Sequence, residues 1–256
     1  MTVKELALDT VYFTKEFPSD WEVEWKGNLS TLDPAGFIYR AYELAAEGSL
    51  NHFVLPKSLG KLPLGLSFFD IYFYYYGHES DHGWVEDFVL AQLPGFPFFI
   101  PRIKQSIATP DLDLKAANIV IRQERKKDLS GAFPATHLPR FIQSFEENHN
   151  VTPQFIGILR RERYSFYLHN QVSLRNWELL ADRCQSIEPF RTVRLGQVEF
   201  EYKGRDGIWS RNILNQQAVL DESKILSNKL IESFGPDIIQ PTNLTKFEWL
   251  MQQKGE

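Results

Sequence analysis

Leu66-Ser67-Phe68-Phe69-Asp70-Ile71-Tyr72-Phe73-Tyr74-Tyr75-Tyr76 holds seven aromatic rings in eleven residues. Such residues favour a pleated backbone. Alternation then places Phe69, Ile71, Phe73 and Tyr75 on one face of a strand and Asp70, Tyr72, Tyr74 and Tyr76 on the other. A short polar segment from Gly77 to Gly83 follows, and a second strand pattern starts at Trp84 and runs to Leu93. Two strand patterns joined in this way read as a β-hairpin. Beyond the Pro94-Gly95 turn, Phe96 to Ile100 reads as a short edge strand, because proline cannot donate to a central ladder.

The rest of the chain is read outward from this hairpin. Ala117 to Gln123 has a strand pattern, as does Gln197 to Lys203, which runs into the turn-like Gly204 to Gly207. Phe155–Leu159 and Tyr164–Leu168 read as a second hairpin, turning at Arg160-Arg161-Glu162-Arg163. Asp33-Pro34 is a capping pair that opens a helix to about Glu47, with Gly48 as its stop. His137 to Glu147 carries Leu138, Phe141, Ile142 and Phe145 at helical spacing. Ser173 stands as the cap of a helix striped by Leu174, Trp177, Ala181, Cys184 and Ile187. Asp221 opens a helix that Gly235-Pro236 ends, and a short one spans Leu244 to Gln253. Strands in runs with helices interposed predict an α+β fold: a mainly antiparallel, twisted sheet flanked by helices, with a C-terminal strand-plus-helices extension. Residues 1–190 form the main domain on this reading, and 191–256 an extension packing on it or on a partner.

Phe69-Asp70-Ile71-Tyr72 followed by Leu93-Pro94 through Pro101 resembles uncharacterised bacterial α+β domains of unknown function. In those domains an aromatic strand precedes a second strand ending in a proline-punctuated segment. The resemblance covers residues about 53–190. It implies a sheet with helices and no particular activity.

Composition narrows the function classes. A net charge of −5 without charge runs argues against a dedicated nucleic-acid binder, which needs a basic surplus to match phosphate. The single cysteine, Cys184, forms no intramolecular disulfide, and no apolar run approaches the roughly 18–20 residues that cross a bilayer. The expectation is a cytoplasmic protein without membrane partners.

Four constellations carry possible chemistry. His78-Glu79-Ser80-Asp81-His82 matches the H-E-x-x-H string. That string binds zinc only when a helix aligns both imidazoles, whereas here glycines bracket it between two strands. His78 and His82 are therefore expected on a hairpin tip, as weak metal candidates. Asp111, Glu124 and Lys126, or Glu201 and Lys203, fit the loose PD…(D/E)xK pattern of Mg²⁺-dependent nucleases. Arg160, Arg161 and Arg163 form a basic group on the expected turn, suited to phosphate or an acidic partner. Tyr72, Tyr74, Tyr76 and Trp84 supply an aromatic sheet face of the kind found at binding hot spots. No complete catalytic constellation, nucleotide loop or cofactor motif is present. The expectation is a non-enzymatic interaction protein with a protein partner and no cofactor, with a nuclease-like enzyme or a metal-binding loop as alternatives.

Overall fold

The computed structural model describes residues 13–14, 16–57, 63–77, 84–106, 118–125, 131–188, 192–206 and 215–253. Its elements in chain order are β1 (Phe13–Thr14), β2 (Trp21–Leu29), α1 (Pro34–Ala46), β3 (Phe53–Val54), β4 (Leu64–Gly77), β5 (Trp84–Gln92), β6 (Phe98–Ser106) and β7 (Ile119–Arg125). There follow β8 (Phe133–Pro134), α2 (Leu138–His149), β9 (Gln154–Asn170), β10 (Arg175–Glu188), β11 (Arg194–Asp206), α3 (Gln216–Phe234), β12 (Ile239–Pro241) and α4 (Lys246–Gln253).

Eight of these strands run β2–β7–β6–β5–β4–β9–β10–β11, antiparallel throughout. β11 then pairs with β2, from Gly196 opposite Leu29 to Glu201 opposite Glu24, and closes the sheet into a barrel. The expected twisted sheet flanked by helices is thus wrong: among the described residues the chain is mostly sheet, a closed antiparallel barrel carrying four α-helices. The segment from 191 onward supplies the strand that closes it. Closure removes the edges an open sheet would have to protect. It also gives every strand an outer face and a luminal one.

Three further corrections follow from the pairing. Arg160 to Arg163 is no turn but the middle of the 17-residue β9. The run looks solvated in sequence, yet Arg161 and Arg163 face the lumen among carboxylates. The helix expected from Ser173 to Ile187 is β10. Trp177, Leu179 and Ala181 are buried on its outer face, while Asp182, Cys184 and Ser186 are buried on its inner one. Burial on both faces erases the two-residue period that marks a half-buried strand. The expected edge strand is β6, paired to both β5 and β7.

The helices lie where their caps place them. Asp33 Oδ1 accepts the Gly36 N–H at 3.0 Å and Pro34 opens α1. Phe37, Ile38, Ala41, Leu44 and Ala45 then face the barrel wall. With α3 they cover a core in which Trp25 stacks on Phe200 at 4.8 Å. Glu222 of α3 reaches through this layer, accepting from Trp177 Nε1 at 2.7 Å and Arg175 at 3.0 Å. α2 covers the outer face of β4, β5 and β6, where Phe145 stacks on Phe88 at 4.9 Å. α4 packs across one end of the barrel, with Trp249 and Leu250 buried against Tyr72, Val89 and Cys184. No helix among the described residues is long and apolar enough to cross a membrane.

Candidate functional site in the barrel lumen

The segment Glu22-Val23-Glu24-Trp25-Lys26 shows how the site is built. Val23 and Trp25 point outward into the core, and alternation sends Glu22, Glu24 and Lys26 inward. The same arrangement recurs in Asp70/Tyr72 on β4, Arg102/Lys104 on β6, Arg122 on β7, Arg161/Arg163 on β9 and Glu199/Glu201 on β11. Together these line a cavity of about 90 Å³, space for several water molecules. Its wall holds seven cationic side chains, the seventh being Lys246 at the start of α4, against five carboxylates. In a chain of net charge −5 the cavity wall itself thus carries more cations than carboxylates, with Asp182 and Glu124 on the same luminal face behind it.

These charges bond to one another. Arg122 donates from Nε and Nη2 to Glu24 Oε1 at 3.0 and 2.7 Å, and Lys104 donates to Glu22 at 2.7 Å. Arg163 grips Asp182 with two bonds of 2.7 Å and reaches Glu199 at 3.1 Å. Lys246 bridges Gln197, Glu199 and Asp182 at 2.8, 2.7 and 2.9 Å. Burial pushes the Glu199 carboxyl up, but Lys246, Lys26 and Arg163 outweigh it and hold it well below the usual range. For Asp182, burial is likewise overcome by Arg163, Lys246 and Arg161.

Two groups depart from this balance. Burial lowers Lys26, with Arg122 and Lys246 adding to it, despite the nearby Glu199 and Glu24. Burial raises Glu201, and the negative charges of Glu22 and Glu24 add to that, although Lys203 offsets part. Asp70 is 1% exposed, yet its Oδ1 has no hydrogen-bond partner, while Oδ2 lies 2.9 Å from Arg161. The luminal carboxylates are thus matched by cations all round: Lys104 and Arg122 at Glu22 and Glu24, Lys203 at Glu201, and Arg161, Arg163 and Lys246 at Asp70, Asp182 and Glu199. Among the described residues no three His, Cys, Asp or Glu side chains are grouped to hold a metal ion.

The residues singled out from the sequence are partly gathered here. Arg161, Arg163, Glu124, Glu201, Lys203 and Tyr72 share the luminal face, whereas Arg160 lies on the alternate, outer face of β9. Glu124 lies 3.7 Å from Arg102, and Lys203 bonds to Glu201 at 2.6 Å and Glu178 at 2.8 Å. Tyr72 is buried and Tyr74 half-buried, its ring against Phe247 of α4, so these two rings look into the barrel. Tyr76 and Trp84 stand at the facing ends of β4 and β5. His78, His82, Asp111 and Lys126 lie outside the described residues. Sequence reading missed Glu22, Glu24, Lys26, Lys104 and Lys246. Charges at i, i+2 between apolar residues were the available signal, but they equally mark a solvated strand face.

No protein-family model matches the chain, and no curated protein is similar to it in sequence. Among solved structures it is similar to the PH1819 protein of Pyrococcus horikoshii OT3, at 14% identity and a TM-score of 0.43, covering 90% of this chain and 98% of that one. It is also similar to the S. pombe Pct1 RNA triphosphatase, at 11% identity and a TM-score of 0.38, covering 93% of this chain and 84% of that one.

Proposed function

We propose that the lumen binds a compact phosphate chain of the triphosphate type, accompanied by a divalent counter-ion, and hydrolyses its terminal phosphoanhydride bond. The observation that carries this reading is the set of seven cations converging on an enclosed cavity of an otherwise acidic protein. Guanidinium groups match phosphate oxygens two at a time, and Arg161 and Arg163 stand at alternate positions of one strand face. Enclosure strengthens each contact by excluding water. A chain of phosphates offers several negative charges in a narrow space, so it replaces the carboxylates that now occupy these cations.

A cation such a ligand brings with it would be held mainly by the phosphate oxygens, because no three carboxylates of the described residues group to hold a metal ion. Glu22 and Glu24 add to the burial that raises Glu201, so positive charge arriving with the phosphates is favoured there. In the reaction a water oxygen bonds to the terminal phosphorus and the bridging P–O bond breaks. Orthophosphate and a chain shorter by one phosphate result, and the water proton passes to solvent. Positioning and charge neutralisation supply most of the catalysis such a step needs.

The test is calorimetric titration of the full chain with inorganic triphosphate, with and without Mg²⁺, alongside phosphate-release assays. The reading expects binding in the micromolar range or tighter, weakened at least ~10-fold by Arg163→Met. Absence of binding, or binding unaffected by Arg163→Met and Arg122→Met, would sink it.

A further inference from the structure

The luminal face continues past the charged ring, and its chemistry changes. Down β4 the inward positions after Tyr72 and Asp70 are Phe68, Leu66 and Leu64. In register on β9, Phe68 lies opposite Arg161 and Leu66 opposite Arg163. Across β5, Asp70 pairs with Ala91 and Ala91 with Ile100, the inward residue next to Arg102. β4 and β6, on either side of β5, thus turn from charged to apolar toward the end of the barrel away from α4.

These apolar side chains are not core. Leu64 and Leu66 are 65% and 53% exposed, Ile100 42% and Phe98 39%. Exposed apolar residues at the mouth of a cavity mark contact surfaces. Leu66 sits one cross-strand step from Arg163, where opposed Cβ atoms are about 5 Å apart, and Ile100 lies two positions before Arg102 on the same face of β6. Arg161 already rests over the Phe68 ring at 4.0 Å. A group attached to phosphates held by Arg161 and Arg163 reaches this lip directly.

We infer that the ligand is not bare polyphosphate but a phosphate chain esterified to an apolar or aromatic organic group, which seats on the lip formed by Leu64, Leu66, Phe98 and Ile100. This rests on the phosphate-chain reading of the lumen and adds a specificity site to it. The phosphates supply charge recognition common to all such ligands. The lip selects among them by what the chain carries.

The experiment titrates the full chain with inorganic triphosphate, a nucleoside triphosphate and an alkyl triphosphate, and repeats this with a Leu66→Ser, Ile100→Ser double variant. Both positions are exposed, so the variant folds, and unchanged affinity for inorganic triphosphate verifies its lumen. The expected result is that at least one organic triphosphate binds ~10-fold tighter than the inorganic one, an advantage the variant loses. Whichever organic ligand gains more identifies the group as planar or aliphatic. Equal binding of all three ligands, or a preference the variant keeps, overturns the lip while leaving the phosphate reading intact. Failure to bind even inorganic triphosphate overturns the lumen reading beneath it.

Discussion

Replacing Asp182 by Asn tests whether the luminal charges are poised for exchange. Asp182 is 1% exposed on β10, in register with Arg163. Its carboxylate answers three cations: Arg163 through two bonds of 2.7 Å, Lys246 at 2.9 Å and Arg161 at 3.5 Å. Asn keeps the shape and one acceptor oxygen but removes the charge. Breaking a buried pair from one side costs about 3–5 kcal/mol, a large part of the roughly 5–15 kcal/mol that holds a domain folded. For a chain of this size that corresponds to a Tm lower by roughly 6–20 °C. The Asp182 carboxyl is depressed in the fold, so its stabilisation is present above the unfolded pKa, near about 4, and is lost as pH falls through the folded value. The gap between wild type and variant is therefore constant from pH 5 to 8 and closes in acid. Thermal and urea unfolding should be followed with and without millimolar inorganic triphosphate. The ligand should raise Tm more in the variant, because three cations there lack their carboxylate. A variant within 1 kcal/mol of wild type, or one gaining no more from triphosphate, would refute the reasoning.

Three other perturbations probe the frame. A methyl group at Gly196 would stand 2.5 Å from the Thr31 carbonyl and 2.9 Å from that of Leu29, both backbone atoms, so Gly196→Ala should force the β11–β2 seam apart. Urea midpoints should show a loss of about 1–3 kcal/mol, and no loss would mean the seam is looser than described. Burial pushes the Cys184 thiol up to about 12, so thiol reagents at pH 8 should label it only after unfolding. Labelling of the native protein at the rate of a free thiol would contradict that placement. Glu222→Ala strips acceptors from both Trp177 and Arg175 and should cost about 3 kcal/mol, with faster hydrogen exchange along α3. Unchanged α3 protection would show that the helix is held by its apolar face alone.

The local elements were largely legible in the sequence, but their assembly was not. Asp33-Pro34 marked α1, and the alternation of Asp70, Tyr72 and Tyr74 against Phe73 and Tyr75 assigned both faces of β4. What that alternation lacked was the meaning of each face. A polar stripe on a strand reads as solvated surface unless the strand is known to curve into a closed ring. Closure depends on β11 meeting β2, and the Lys26–Glu199 contact there spans 173 positions, beyond the reach of any local pattern. The same ignorance turned Arg160 to Arg163 into a turn and β10 into a helix. β10 is buried on two sides from Leu179 to Asp182, and β9 is charged on both faces from Arg160 to Arg163, so neither stretch shows the one-sided pattern that sequence reading depends on.

The candidate site follows from what the barrel does not need. The apolar clusters under α1, α3 and α2 lie outside the barrel wall and already stabilise its strands. A lumen filled with leucine and phenylalanine would add to them, and buried ion pairs are commonly no better than such packing. The chain instead places Lys26, Arg163 and Lys246 inside, with Glu199 bonded to all three. One carboxylate shared by three cations is a compact surrogate for an anion of higher charge. A phosphate chain carries more negative oxygens into the same space, so it displaces Glu199 and Asp182 without leaving the cations bare. The carboxylates so released face the cation that arrives with it. Stability without ligand and affinity for ligand are then two uses of the same charges, and this is why Asp182→Asn should lower one and raise the other.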